Sequence, residues 1–163
     1  MVKSISEYDV SEDVFNLRDF LDSALATLVS VYESYNVPLP TRRYWTTAEP
    51  AEDCEQAVVS FIQLYLGAPG DQANSPQNCR VAPRSAVLEI TVTRNYPVGV
   101  NGKPIPTSDL IKASEWSAVD TWILMQSAVE FDSWKMGVIA TVTVNKPSGG
   151  VQTTLLSITV AVP

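Results

Sequence analysis

The sequence predicts an α+β domain, with one mainly antiparallel sheet of four to five strands and two flanking helices. Two long segments, 10–36 and about 108–132, repeat apolar residues at the spacing of an amphipathic helix. Shorter segments alternate as strands do, and those assigned to the sheet are 55–67, 84–97, 137–145 and 151–162. With 163 residues, 45% of them hydrophobic, the chain has the size and composition of a single domain spanning residues 1–163.

The first helix follows an N-terminal segment, residues 1–9. Ser11 is a suitable N-cap, and Asn36 with the prolines just beyond it is predicted to end the helix. Apolar residues recur at steps of three and four along it. They form one stripe that is predicted to be buried: Val14, Leu17, Leu21, Ala24, Leu28, Val31 and Tyr35.

Three strands are predicted between the helices, beginning with the short β-prone run 41–47. The second, 57–67, carries apolar groups on both faces, which predicts a strand covered on both sides, although a helix remains an alternative for so short a run. The third has one face toward the core, Ala86, Leu88, Ile90 and Val92, and one toward solvent, Val87, Glu89, Thr91 and Thr93.

The second helix is predicted to start with Thr107 or Ser108 as its cap. Its predicted buried stripe is Ile111, Ala118, Trp122, Met125 and Val129. The two final strands are joined by "KPSGG", which predicts a hairpin. The core face of the last strand is predicted to be Leu156, Ile158, Val160 and Val162. The order of elements is therefore α-β-β-β-α-β-β, typical of a sheet with helices packed on it.

A long loop, residues 68–83, separates the second and third strands. Its sequence "APGDQANSPQNCRVAP" is rich in turn-forming residues and poor in apolar ones. Loops of this length without secondary structure often bind partners. The loop is therefore predicted to contact another chain rather than its own core.

The net charge of −7 lies entirely in the first third of the chain. Residues 1–60 hold four basic and eleven acidic residues, and the remainder is balanced. An acidic surface argues against nucleic acid as the main partner, because phosphate contacts need clusters of lysine and arginine. No apolar run is long enough for a membrane span, and no leader-like segment precedes the first helix. The expected location is a cytosol.

The composition removes most common kinds of active site. The chain has no histidine, the commonest general base and nitrogen metal ligand. Cys54 and Cys79 do not form a CxxC pair, and no glycine-rich phosphate motif occurs. No catalytic residue, metal or cofactor is therefore predicted. In a cytosol the two cysteines are expected to be free thiols, with a bridge across the base of the hairpin as the alternative.

Acidic residues are the one remaining group with catalytic potential. They cluster before the second strand as Glu49, Glu52, Asp53 and Glu55. A small acidic hydrolase using Glu52, Asp53 and Glu55 is one hypothesis, since paired carboxylates can carry hydrolysis. A binding module for a basic partner is another. The favoured interpretation is a solvated segment at the entry to a strand.

Two segments resemble a known family. "EPAEDCEQAVVSFIQLYLGAPG" at 49–70 and "CRVAPRSAVLEITVTRNYPV" at 79–98 are similar to neck proteins from long-tailed phages of actinobacteria. In that family an acid-Cys-Glu-Gln motif opens a strand, a Pro-Gly loop and a second cysteine follow, and a Pro-Arg motif opens the next strand. The later "PSGG" hairpin also fits, so the resemblance covers roughly residues 35–163.

The resemblance implies a structural protein of the virion, assembled in the host cytoplasm. Proteins of this type are tail terminators, which form a ring, usually of six copies, that caps the tail tube and meets the head-side connector. It implies no catalytic residue, and leaves a neighbouring head-completion or stopper protein as the alternative. The residues expected to contact partners are Asp71, Gln72, Asn74, Gln77, Asn78, Glu52 and Asp53.

Overall fold

A computed structural model of the chain describes residues 16–51, 53–70, 84–132 and 138–162. The elements follow one another in the predicted order. They are α1 (Leu17–Ser34), β1 (Arg42–Thr46), β2 (Gln56–Leu66), β3 (Arg84–Asn95), α2 (Thr107–Asp132), β4 (Val138–Val144) and β5 (Val151–Val162).

The five strands form one sheet in the order β1-β2-β3-β5-β4. β1 and β2 run parallel, while β2–β3, β3–β5 and β4–β5 are antiparallel pairs. The predicted α+β class with a mainly antiparallel sheet is confirmed. The predicted hairpin of the last two strands is also confirmed, and its turn contains Gly149 and Gly150, both with positive φ.

Both helices pack on the same face of the sheet. α1 contacts β1 and β2, α2 contacts β3, β4 and β5, and the helices contact each other. The side chains predicted for the core face of β3 and β5 are buried there: Ala86, Leu88, Ile90, Val92, Leu156, Ile158, Val160 and Val162. Each fully buried leucine or isoleucine contributes about 1.5–3 kcal/mol, so this layer is the main source of stability.

α1 begins later than the sequence pattern predicts. Its N-cap is Asn16, whose side-chain oxygen accepts hydrogen bonds from the Arg18 and Asp19 backbone N–H groups at 3.1 and 3.3 Å. Ser11 and Val14 lie outside the described residues. The buried stripe is Leu21, Ala24, Leu28, Val31 and Tyr32. Tyr35, predicted to be buried, is instead 47% exposed, because α1 has reached its C-cap there, before Asn36 turns the backbone to φ 59°.

The predicted buried stripe of α2 is wrong. Ile111, Trp122, Met125 and Val129 are among the exposed large apolar side chains, and Ala118 is exposed with them. The buried side of the helix is the opposite one, formed by Asp120, Ile123, Leu124, Ser127, Ala128 and Phe131. The helix also begins at Thr107, with the Pro106 carbonyl accepting from the N–H groups of Asp109 and Leu110, so neither Thr107 nor Ser108 precedes it as a cap.

β2 is covered on both sides only along its first half. Residues 56–60 are all buried, whereas Ile62, Leu64 and Leu66 are exposed. The register shifts between Phe61 and Gln63, which marks a bulge at this point. β1 pairs with β2 only as far as Ser60, so the outer half of β2 lacks a neighbour on one side among the described residues.

The sheet face away from the helices is also partly buried. Thr91 and Thr93, predicted to face solvent, are 7% and 0% exposed. The Thr93 hydroxyl is hydrogen-bonded to that of Thr153 on the neighbouring strand at 3.0 Å. The connection from β1 to β2 reaches the same face, where Glu49 and Pro50 border a cleft with Ser60. Alternation of residue type could not reveal this cover, because it comes from an irregular segment.

A buried ion pair joins the two layers. Arg94 of β3 donates from Nε to Asp120 Oδ2 at 2.7 Å and from a terminal nitrogen to Oδ1 at 2.8 Å. Asp120 is 1% exposed, and the Tyr32 hydroxyl of α1 donates to its Oδ1 at 3.0 Å. Arg94 also donates to the Pro38 carbonyl and stacks over the Trp116 ring, 4.3 Å from its centroid. The cluster therefore connects both helices to the sheet.

Replacing Asp120 with asparagine should strongly destabilise the fold. Asp120→Asn leaves the Arg94 charge buried without a countercharge, and breaking a buried pair in this way costs about 3–5 kcal/mol. Urea unfolding followed by circular dichroism measures the change. Asp53→Asn, which breaks the exposed pair with Arg42, is the control and should leave the midpoint unchanged. Equal effects of the two variants would contradict the buried pair.

The Tyr32 phenol should make stability fall at alkaline pH. Burial raises the pKa of Tyr32 far above its usual value, and the Asp120 charge and hydrogen bond raise it further. Above pH ~10 the unfolded chain ionises this tyrosine while the folded chain keeps it neutral, so the free energy of unfolding falls by up to about 1.4 kcal/mol per pH unit. Below that pH the contribution is fully present.

Tyr32→Phe should remove this part of the alkaline dependence of stability. Tyr35→Phe, at the exposed C-cap of the same helix, should retain it. Urea unfolding from pH 8 to pH ~11 measures both slopes. A Tyr32→Phe slope equal to that of the unmodified chain would contradict the role assigned to burial.

Candidate functional site

The acidic residues before β2 are not gathered into one carboxylate site among the described residues. The Asp53 carboxylate pairs with Arg42 at 2.8 Å, and Glu55 accepts from the backbone N–H of Asn95 at 3.1 Å. Glu49 borders the cleft described below. Glu52 lies outside the described residues. The hypothesis of a hydrolase that uses Glu52, Asp53 and Glu55 together therefore stays a prediction.

Arg42, Asp53 and Cys54 form a small polar cluster at the start of β1. Arg42 donates to both Asp53 and the Cys54 sulfur, the latter at 3.0 Å, and the thiol lies 3.4 Å from Asp53 Oδ1. The hydrogen bond from Cys54, together with the Arg42 charge, lowers the pKa of Asp53. Cys54 is a free thiol, and Cys79 lies outside the described residues. The cluster holds the chain that enters β2 against β1.

The loop after β2 starts in contact with its own sheet. Ser85 donates to the Gly67 carbonyl at 2.7 Å, and Tyr65 donates to the Ala68 carbonyl at 3.2 Å. A Cβ on Gly70 would come within 2.7 Å of the Ile139 side chain on β4. The remaining residues, 71–83, lie outside the described part, including the predicted contacts Asp71, Gln72, Asn74, Gln77 and Asn78. The expectation that the loop contacts another chain stays a prediction.

The cleft lies on the sheet face opposite the helices and has a volume of about 350 Å³. Its lining comes from the β1–β2 connection and from β2 and β3: Thr47, Ala48, Glu49, Pro50, Ser60, Phe61, Ile62 and Glu89. Ser60 and Glu89 are direct partners across the antiparallel pair, so their side chains stand next to each other. Ser60 is 2% exposed and its hydroxyl has no hydrogen-bond partner among the described residues.

The outer side of α2 carries more exposed bulky apolar side chains than any other helix or strand among the described residues. We call it the α2 stripe, and it consists of Ile111, Ala118, Trp122, Met125 and Val129. Trp122 and Val129 are each 61% exposed and Ile111 is 53% exposed. An apolar hollow of about 390 Å³ lies at its N-terminal end, around Leu110, Ile111 and Ala118. Contiguous apolar surface of this kind marks interaction sites.

Three strand segments have unpaired backbone on one side within the described part of the chain, namely the edge strands β1 and β4 and the outer half of β2. β4 is an edge strand, and its sequence "VIATVTV" contains no charged residue. The outer half of β2 continues beyond the end of β1. Natural proteins usually protect such edges with charges, bulges or covering segments, because an open edge pairs with another strand. Only the β2 segment carries a bulge here.

Sequence reasoning located these surfaces only in part. It identified the residues of the α2 stripe but assigned them to the core. It did not single out Ser60 or Glu89, although a serine inside the apolar run of β2 was an available signal. Within the residues the structure describes, no three potential ligands are grouped to hold a metal ion, and no helix is long and apolar enough to cross a membrane.

The two buried threonines of β3 should respond oppositely to valine. Thr91 has no hydrogen-bond partner among the described residues, so Thr91→Val removes an unsatisfied hydroxyl and should stabilise the fold by about 1 kcal/mol. Thr93→Val breaks the bond to Thr153 and should cost about 1 kcal/mol. Urea unfolding of both variants measures the difference. Destabilisation by Thr91→Val would mean that its hydroxyl is satisfied by bound water.

No protein-family model matches this chain, and no curated protein is significantly similar to it. Support for a function therefore comes from the surfaces described above, namely the α2 stripe, the open strand edges and the cleft beside Ser60.

Proposed function

We propose that the chain is a structural protein of the virion head–tail junction, a tail terminator that forms a ring capping the tail tube and joining it to the head-side connector. The observation that carries the proposal is the α2 stripe. The same two helices and mainly antiparallel sheet are the architecture implied by the resemblance of residues 35–163 to phage neck proteins.

The stripe supports self-assembly because exposure of its apolar side chains to water is unfavourable. Four bulky apolar side chains, Ile111, Trp122, Met125 and Val129, lie on one side of α2 and are 39–61% exposed. Burial of apolar surface stabilises association by roughly 25 cal/mol per Å², and tryptophan is among the residues that contribute most at interfaces. A helix with apolar residues on both sides is typical of one that is covered on both sides.

The open strand edges supply a second kind of contact. β4 and the outer half of β2 lie toward opposite edges of the sheet. In a ring each copy presents two different surfaces to its neighbours, because head-to-tail contacts that close generate cyclic assemblies. Two edges on opposite sides of one domain are compatible with such contacts. Six copies are expected from the resemblance, with the tail tube protein on one side of the ring and the connector on the other.

Trp122→Glu should prevent ring formation, because it places a charge at the centre of the stripe, where desolvation of an unpaired carboxylate opposes association. Sedimentation velocity and negative-stain electron microscopy of the purified chain measure the result. The unmodified chain should form closed rings several times the mass of the 17.8 kDa chain, and the variant should be monomeric.

Val100→Glu is the matched control, since Val100 is 63% exposed but lies in the loop before α2, outside the stripe. It should assemble like the unmodified chain. A monomeric unmodified chain at high concentration, or a dimer without a central opening, would contradict the proposal.

A further inference from the structure

The cleft beside Ser60 combines negative charge with an unsatisfied buried hydroxyl. Glu89 extends from the sheet next to Ser60, and Glu49 approaches from the β1–β2 connection. Glu89 is half-buried and forms no ion pair within the described part of the chain, in contrast to Asp53 and Asp120. The cleft therefore offers two carboxylates and one hydroxyl that no described side chain neutralises or satisfies.

These groups define the chemistry of a matching ligand. Carboxylates accept hydrogen bonds and attract positive charge, and the Ser60 oxygen can accept one further N–H. The cleft lining also includes Ile62 and Pro50, which favour an apolar stem behind the charged group. Calcium instead takes six to eight oxygen ligands, more than this lining supplies. An organic cation on an alkyl chain is the better fit.

We infer that this cleft binds a single arginine or lysine side chain presented by a partner protein. A volume of about 350 Å³ lies at the small end of the range for ligand sites, which suits one side chain rather than a large cofactor. The net charge of −7 attracts basic partners to the surface. The alkyl stem packs on Ile62 and Pro50, and the cationic head lies between Glu89, Glu49 and Ser60.

This inference does not depend on ring formation, because a small probe can be tested on the isolated chain. N-acetyl-arginine N-methylamide is titrated into ¹⁵N-labelled protein, with the neutral N-acetyl-citrulline N-methylamide as the matched ligand. The arginine probe should bind weakly and saturably, with amide shifts centred on residues 47–49, 60–62 and 89. The citrulline probe should cause no saturable shifts there.

Glu89→Gln should weaken binding of the arginine probe at least tenfold, as expected for loss of a charge-assisted hydrogen bond. Glu33→Gln, at an exposed position on α1, is the control and should leave the affinity unchanged. Ser60→Ala provides a second variant if Glu89→Gln impairs folding, and should also weaken binding.

Three results would overturn the inference. They are equal binding of the citrulline probe, unchanged affinity in both Glu89→Gln and Ser60→Ala, and saturation of the same amides by calcium chloride at lower concentration than the arginine probe. Failure of Trp122→Glu to alter assembly would contradict the proposed ring but would not affect binding of the arginine probe. The two proposals can therefore fail independently.

Discussion

The paired charges of Arg94 and Asp120 constrain how α2 lies on the sheet. Neither charge can be buried alone without a large desolvation penalty. The helix must therefore turn Asp120 toward the Arg94 side chain on β3. Tyr32 then brings α1 to the same carboxylate, and the Pro38 carbonyl occupies a remaining donor of Arg94. One carboxylate thus determines the rotation of α2 and its contact with α1.

The exposed surface of α2 follows from that rotation. Turning Asp120 inward carries Ile123, Leu124 and Phe131 into the core with it, and directs the opposite side of the helix to solvent. That opposite side is the α2 stripe, whose bulky apolar residues are Ile111, Trp122, Met125 and Val129. The rotation of α2 that buries the Arg94–Asp120 ion pair therefore also exposes the α2 stripe. The same interaction that stabilises the fold thus exposes the surface proposed for assembly.

The two faces of the sheet are covered in different ways. The helices bury one face with a continuous apolar layer, whereas on the other face the β1–β2 connection reaches Ser60 and leaves a cleft beside it. Gln56 shows how that connection is held, because its side-chain amide donates to the Ala51 carbonyl and accepts from the Tyr44 hydroxyl. The polar groups of this second face are therefore partly satisfied and partly available to a ligand.

The sequence by itself determined the element order, the α+β class and the core faces of β3 and β5, because strand alternation and the spacing of apolar residues along a helix are local properties. It also showed that the net negative charge lies in the first third of the chain. Only the tertiary structure decided which side of α2 is buried, since the spacing of apolar residues cannot anticipate that Arg94, 26 residues away, requires Asp120 inside. The cleft likewise depends on the tertiary structure. Ser60 and Glu89 lie 29 positions apart and become neighbours only through the register of β2 with β3. The β1–β2 connection that borders the cleft is irregular, so its sequence has no periodic pattern that predicts its position.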